Sequence, residues 1–242
     1  MKLVIIPTYN ERGNIGLLLP RIYETLPDSH ILIIDDNSPD GTGDMADALA
    51  AQVYQDRLFV LHRNGKLGLG SAYIAGFKWA LAKSYRLIFQ MDADFSHNPI
   101  YLKSLQAMVE NCDLVLGSRY VAGGGIPNWG LTRRIISRGG SLYSRLILSM
   151  PFRDLTGGFK CFRREVLERI DLDSIQSNGY SFQIEMTYRA FLHGFHIREC
   201  PIVFEERALG KSKMSSTIFR EALLMIPKLR SSSRRLERST PS

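Results

Sequence analysis

Two rhythms of apolar residues alternate along this chain. Short aliphatic runs at Leu3–Ile6, Ile31–Ile34, Leu58–Leu61, Leu87–Met91 and Leu114–Leu116 are too brief for helices and read as buried strands. Between them apolar residues recur at helical spacing, as with Ile15, Leu18, Leu19 and Ile22 in a helix predicted from about Asn14 to Thr25. Further helices are expected from the 37–42 turn to about Ala51, from the glycines near Gly68 to about Ser84, and from Pro99 to about Asn111. Strictly alternating strand and helix predicts an α/β domain with a mostly parallel, Rossmann-like sheet and helices on both faces.

The second half is less regular. A helix is predicted over Leu131–Ser149, although Gly139 and Gly140 weaken it. A glycine-rich turn and strand over Asp154–Phe162, a short helix at Glu165–Ile170 and a helix from Gly179 to near Gly194 come next. A last strand is expected over Ile197–Glu205. An apolar helix over Ser216–Leu229, broken by Pro227, completes a set of C-terminal amphipathic helices. No repeat or linker divides the chain, so residues 1–230 read as one domain and 231–242 as a basic disordered tail.

Composition narrows this further. At 242 residues, 45% hydrophobic and 23% charged, the chain suits one large α/β domain. Its net charge of +7 points to an anionic partner, whether nucleotide, phospholipid or nucleic acid. From Leu114 to Arg153 there is no acidic residue but six arginines: Arg119, Arg133, Arg134, Arg138, Arg145 and Arg153. Cys112, Cys161 and Cys200 form no CxxC pair, which argues against a zinc site or disulfide framework. The strand-like start predicts no signal peptide, and no apolar run nears the ~20 residues of a membrane span, so membrane contact is expected to be peripheral.

The chemistry gathers at strand ends. Asp92 and Asp94, one residue apart after an apolar strand, face the same way and would repel unless a hard cation such as Mg2+ or Mn2+ lay between them. An isolated DxD is also an ordinary polar strand end. The strand before it, however, is not alone: Asp35-Asp36 end the second strand and Arg119-Tyr120 follow the fifth. Polar strand ends along one edge mark the usual ligand site of an open α/β fold. An EF-hand is excluded because His97 and Lys103 stand where its glycine and glutamate belong. Gly65-Lys66-Leu67-Gly68-Leu69-Gly70 is not a Walker A sequence and reads as a flexible loop opening a helix. His62, His97, His193 and His196 read as structural or surface residues.

Taken jointly, Pro7-Thr8-Tyr9-Asn10-Glu11, Asp35 to Thr42, Leu67-Gly68-Leu69-Gly70, Asp92-Ala93-Asp94, Gly117-Ser118-Arg119-Tyr120 and Ser212-Lys213 resemble the dolichol-phosphate (polyprenol-phosphate) mannosyltransferases. These are inverting family 2 glycosyltransferases of GT-A fold. The likeness runs in order from about Lys2 to Leu229, with Asp154–Phe159 and Gly179–Gln183 also similar to family signatures. The resemblance implies transfer of mannose from GDP-mannose to a polyprenyl or dolichyl phosphate, with inversion, by a metal-dependent enzyme. It implies that Pro7, Tyr9, Glu11, Ile34 and Asp36 hold the guanosine half, and that Asp92 and Ala93 contact the sugar nucleotide. Asp94, with Asp92, would carry Mg2+ or Mn2+; Arg119, Arg207 and Lys213 would contact donor and acceptor phosphates. Asp94 and Arg119 would be the catalytic pair. Some relatives place Gln two positions after the second Asp as a further metal contact; here that position is Ser96. A location on the cytoplasmic face of an anionic membrane is implied, with no nucleic-acid partner and room for a membrane-anchoring partner subunit. Readings left open are transfer of another sugar, such as glucose from UDP-glucose, an aspartyl phosphatase, and a non-catalytic nucleotide-binding protein docked on membranes.

Overall fold

The structure, a computed structural model, describes residues 1–127, 129–175, 177–205 and 225–231. Five strands alternate with four helices first: β1 (Lys2–Thr8), α1 (Arg12–Thr25), β2 (Ser29–Asp35), α2 (Thr42–Gln52), β3 (Leu58–His62), α3 (Leu69–Leu81), β4 (Leu87–Gln90), α4 (Tyr101–Val109) and β5 (Leu114–Ser118). Then come α5 (Leu131–Leu148), β6 (Lys160–Arg163), α6 (Arg164–Arg169), α7 (Gly179–Leu192) and β7 (Ile197–Pro201). The expected final strand over Ile197–Glu205 is shorter, because after Pro201 only Val203 bridges, in parallel, to Gly125.

Among the described residues seven strands form one sheet in the order β3-β2-β1-β4-β6-β5-β7. Every pairing is parallel except those of β6, which lies antiparallel between β4 and β5. Period-two alternation sends neighbouring residues of one strand to opposite faces. Leu3, Ile5, Leu32, Ile34 and Ile88 pack with α3, α6 and α7 on one face. Val4, Ile6, Ile31, Ile33 and Phe89 pack with α1 and α4 on the other. Both layers are fully buried, which explains why the strands read as continuous apolar runs.

Beyond the sheet, residues 225–231 are helical, with Ile226 buried and Leu229 against the core. The rest of the helix expected over Ser216–Leu229, and Arg207 and Lys213 with it, lie outside the described residues, as does most of the 231–242 tail. Among the described residues no helix is long and apolar enough to cross a membrane, and the three cysteines are buried free thiols.

Candidate active site

A cleft of about 240 Å³ opens at the carboxyl ends of β1, β2 and β4, walled by the starts of α3 and α7. Its lining includes Pro7, Tyr9, Glu11, Asp36, Asp92, Ala93 and Asp94, so seven of the residues singled out from the sequence share one cavity. The strand order explains this. β1 has β2 on one side and β4 on the other, so the chain's winding reverses beside β1 and leaves a crevice there.

At one end of the cleft, Asp36 follows β2. Arg63 Nε lies 3.2 Å from one of its oxygens, and the Leu67 backbone N–H donates to the other at 3.2 Å. Burial nonetheless pushes this carboxyl above its ordinary range, with Arg63 pulling the other way. Asp35 serves the turn instead: it accepts from the Thr8 hydroxyl at 2.9 Å and from the Ser38 hydroxyl at 2.6 Å. The Lys66 ammonium sits 4.4 Å from the Tyr9 ring centre, a cation–π contact at the cleft wall.

At the other end, the carboxylates after β4 are held in different ways. Asp92 accepts from the Tyr73 hydroxyl at 3.2 Å, while its backbone N–H donates to His97 Nδ1 at 3.0 Å. Burial drives the Tyr73 hydroxyl well up and the His97 imidazole down, so the first stays a donor and the second a neutral acceptor. His97 is fully enclosed and stacks on Phe159 at 4.9 Å. Asp94 is 5% exposed, and its Oδ1 accepts from the Ser96 backbone N–H at 3.1 Å and hydroxyl at 2.5 Å. Ser96 therefore orients the carboxylate beside it. Two carboxylates on one cavity wall are a hard-oxygen donor pair of the kind Mg2+ and Mn2+ prefer. Among the described residues no group of three His, Cys, Asp or Glu side chains gathers around one point.

Two expected site residues lie elsewhere or act otherwise, and two more fall outside the described residues. Ile34 is in the core against α3 and does not line the cleft; its carbonyl accepts from the Thr8 hydroxyl at 3.4 Å. Arg119, 5% exposed, is outside the cleft lining. Its Nε and Nη2 donate to the two oxygens of Asp154 at 2.7 Å each, and Nη2 also reaches the Thr156 hydroxyl at 2.8 Å. Burial opposes both charges, yet each partner holds the other: the guanidinium is pushed above and the carboxyl below its ordinary range. Trp129 and Phe204 flank the guanidinium at 5.5 and 5.3 Å. Arg207 and Lys213 lie outside the described residues.

Sequence reasoning missed Lys66, Tyr73 and Tyr180 as site residues; Lys66 and Tyr180 line the cleft and Tyr73 braces Asp92. The available signal was position: Lys66 on the strand-to-helix connection after β3, Tyr73 near the start of α3 and Tyr180 at the start of α7, all toward the sheet edge that carries the aspartates.

Sheet, cleft and paired carboxylates define a GT-A glycosyltransferase. Residues 3–171 match the family model described as glycosyl transferase family 2, and the chain belongs to that family. It is 49% identical to polyprenol monophosphomannose synthase of Mycolicibacterium smegmatis over 93% of this chain and 84% of that protein. It is also 49% identical to undecaprenyl-phosphate mannosyltransferase of Micrococcus luteus, over 93% of this chain and 91% of the relative. Among solved structures, glucosyl-3-phosphoglycerate synthase from Mycobacterium tuberculosis shares the fold. Its complex with Mn2+, UDP and glucosyl-3-phosphoglycerate superposes with a TM-score of 0.69 at 18% identity, covering 96% of this chain and 80% of that one. Its complex with Mg2+ and UDP also gives 0.69 at 18% identity, over 96% and 79%.

Proposed function

We propose that this protein transfers mannose from GDP-mannose to a polyprenyl phosphate, inverting the anomeric centre and releasing GDP. The observation that carries the reading is the two-ended cleft. Tyr9, Lys66 and Asp36 offer a ring, a cation and an acceptor at one end; Asp92 and Asp94 present paired carboxylates at the other. Relatives at 49% identity whose names specify polyprenol-linked mannosyl transfer support the sugar and the acceptor class.

In this reading Pro7, Tyr9, Glu11 and Asp36 hold the nucleoside, with the Ile34 backbone behind it. Asp92 and Asp94 would hold Mg2+ or Mn2+, which when bound supplies charge neutralisation to the departing diphosphate. Tyr73, His97 and Ser96 keep the two carboxylates oriented by the hydrogen bonds described above. An acceptor phosphate oxygen attacks the anomeric carbon from the face opposite the departing GDP. With a second pKa near 6, that phosphate is already mostly ionised at neutral pH, so the reaction needs no protein base. Arg207 and Lys213 meet donor and acceptor phosphates. Arg119 either joins them by exchanging Asp154 for phosphate or shapes the loop behind them through that pair. The membrane contact is peripheral, on the cytoplasmic face.

The test is transfer of label from a panel of sugar nucleotides to a polyprenyl phosphate, with and without Mg2+ or Mn2+. Metal-dependent transfer from GDP-mannose into a lipid that releases free mannose on mild acid hydrolysis, as a mannosyl phosphate does, is expected. Preferential transfer from UDP-glucose would replace the donor assignment, and absence of transfer from every donor would remove the enzymatic one.

A further inference from the structure

In the loop leading into β6, Gly158 stands beside the carboxylate of Asp92. A Cβ built on it would lie 3.4 Å from Gln183 Nε2, 3.4 Å from His97 Cε1 and 3.6 Å from Asp92 Oδ1. All three are ordinary contacts, so crowding does not demand a glycine here. The glycine leaves a small cradle between an amide, an imidazole edge and a carboxylate. Gln183 is 2% exposed, and among the described residues neither atom of its side-chain amide has a hydrogen-bond partner. A buried amide in that condition is costly. Its place is nonetheless fixed, because its backbone carbonyl accepts from Lys160 Nζ at 2.6 Å and from the Thr187 hydroxyl at 3.0 Å. Gln183 also stands one helical turn beyond Gly179, which lines the cleft with Tyr180.

A group seated in this cradle has to accept from the Gln183 amide nitrogen and donate to Asp92 Oδ1, which also accepts from Tyr73. A phosphate oxygen fails the second requirement, since it brings negative charge against a carboxylate. A metal ion fails the first, because an amide N–H and an imidazole carbon offer it no ligand. A hydroxyl meets both. A nucleotide sugar with its nucleoside near Asp36 and its diphosphate at Asp92 and Asp94 sets its sugar beside those carboxylates, and a hexose is rich in hydroxyls. We propose that Gly158, Gln183 and Asp92 form the seat for one hydroxyl of the transferred sugar, with Gln183 the residue that selects it. The proposal rests on the reading above and adds the point at which the sugar itself is recognised.

Calorimetric binding of GDP and of GDP-mannose to the full chain, with Mn2+ and without acceptor, tests the seat apart from catalysis. Gly158→Ala puts a methyl group where the hydroxyl would sit while meeting its folded neighbours at ordinary distance. Its melting temperature and GDP affinity should match wild type, and its affinity for GDP-mannose should fall at least about tenfold. Gln183→Met, close in length and without the amide, should lose about fivefold for GDP-mannose and nothing for GDP. GDP-mannoses lacking the 2-, 3-, 4- or 6-hydroxyl then identify the contact. One of them should bind wild type about fivefold more weakly than GDP-mannose, yet bind Gln183→Met as well as GDP-mannose does, because amide and hydroxyl are lost as a pair. Should Gly158→Ala not fold, this series carries the test alone. If the donor panel favours another sugar nucleotide, the same series is made from that sugar, so a wrong sugar and a wrong seat give different results. Transfer that fails while the binding pattern holds would remove the enzymatic reading and leave the seat. Wild-type binding of GDP-mannose by Gly158→Ala, equal losses for GDP and GDP-mannose in Gln183→Met, or additive losses for all four deoxy donors would overturn the proposal.

Discussion

At the scale of single residues, like residue types are put to unlike uses by what surrounds them. Asp92 and Asp94 border the cleft, whereas Asp154 is enclosed and neutralised by Arg119. A sequence shows an arginine after a strand, but not whether a carboxylate 35 residues later reaches it first; that depends on the loop's path. Lys160 is the sharper case. It stands on β6 with no exposure, its Nζ donating to the Gln183 carbonyl at 2.6 Å and near the Thr187 hydroxyl at 3.0 Å. Burial pushes its ammonium down to about 7, with Asp154 pulling the other way. Between pH 7 and 10 the unfolded chain therefore keeps a proton that the folded chain has released. The folded state should gain up to about 1.4 kcal/mol for each pH unit across that window. Lys160→Met removes this contribution. Urea titrations at several pH values should show wild type gaining stability relative to the methionine variant as pH rises. A difference independent of pH would mean that the buried amine stays charged throughout.

At the scale of elements, the central strands were legible because each is buried on both faces, and the first helices because each packs one apolar stripe. β6 was legible as a strand after a glycine-rich turn, but four residues hold no sign of direction; β6 runs antiparallel because it returns between β4 and β5. The loop before α3 was read as flexible. Its glycines instead allow close approach: Gly68 has φ +99°, and a Cβ on it would lie 2.9 Å from Asn178 Oδ1. A Cβ on Gly70 would lie 2.7 Å from the Ser177 carbonyl and 3.1 Å from Phe182. These contacts draw the start of α3 against the start of α7, and with it the walls carrying Lys66 and Tyr180. Gly70→Ala should force the two helix starts apart, at a cost of about 1–3 kcal/mol. Both a lower melting temperature and weaker nucleotide binding are expected. Gly65→Ala, where a Cβ meets nothing within 4 Å, is the matched control and should change little. Should Gly70→Ala melt like wild type, the close approach is not what fixes the cleft wall.

At the scale of the whole molecule, the alternation of strand and helix implied a parallel sheet, but strand order is a property of long-range packing that no local pattern records. That order places β1 between β2 and β4, so residues from positions 7 to 180 meet at one crevice. A ligand bound there bridges elements from much of the chain and should stabilise all of them together. The proposed site has two coupled halves, a nucleoside end near Asp36 and a metal end at Asp92 and Asp94, and their coupling can be read from unfolding alone. A ligand held only by the folded state at a hundredfold excess over its dissociation constant adds about 2.7 kcal/mol. For a chain of this size that raises the melting temperature by roughly 5–11 °C. GDP with Mn2+ should give a shift of this order, and GDP or Mn2+ alone a clearly smaller one, because in the proposed site the ion would be held by the carboxylates and would neutralise the diphosphate. UDP with Mn2+ should stabilise less than GDP with Mn2+ if the nucleoside end selects guanine. Asp94→Asn removes one charge from the metal end and leaves Asp36, Tyr9 and Lys66 in place. It should therefore keep the small shift with GDP alone and lose the increment that Mn2+ adds. If Asp94→Asn responded to GDP and Mn2+ as wild type does, the ion would be held elsewhere, and the paired carboxylates would not be the metal end of this cleft.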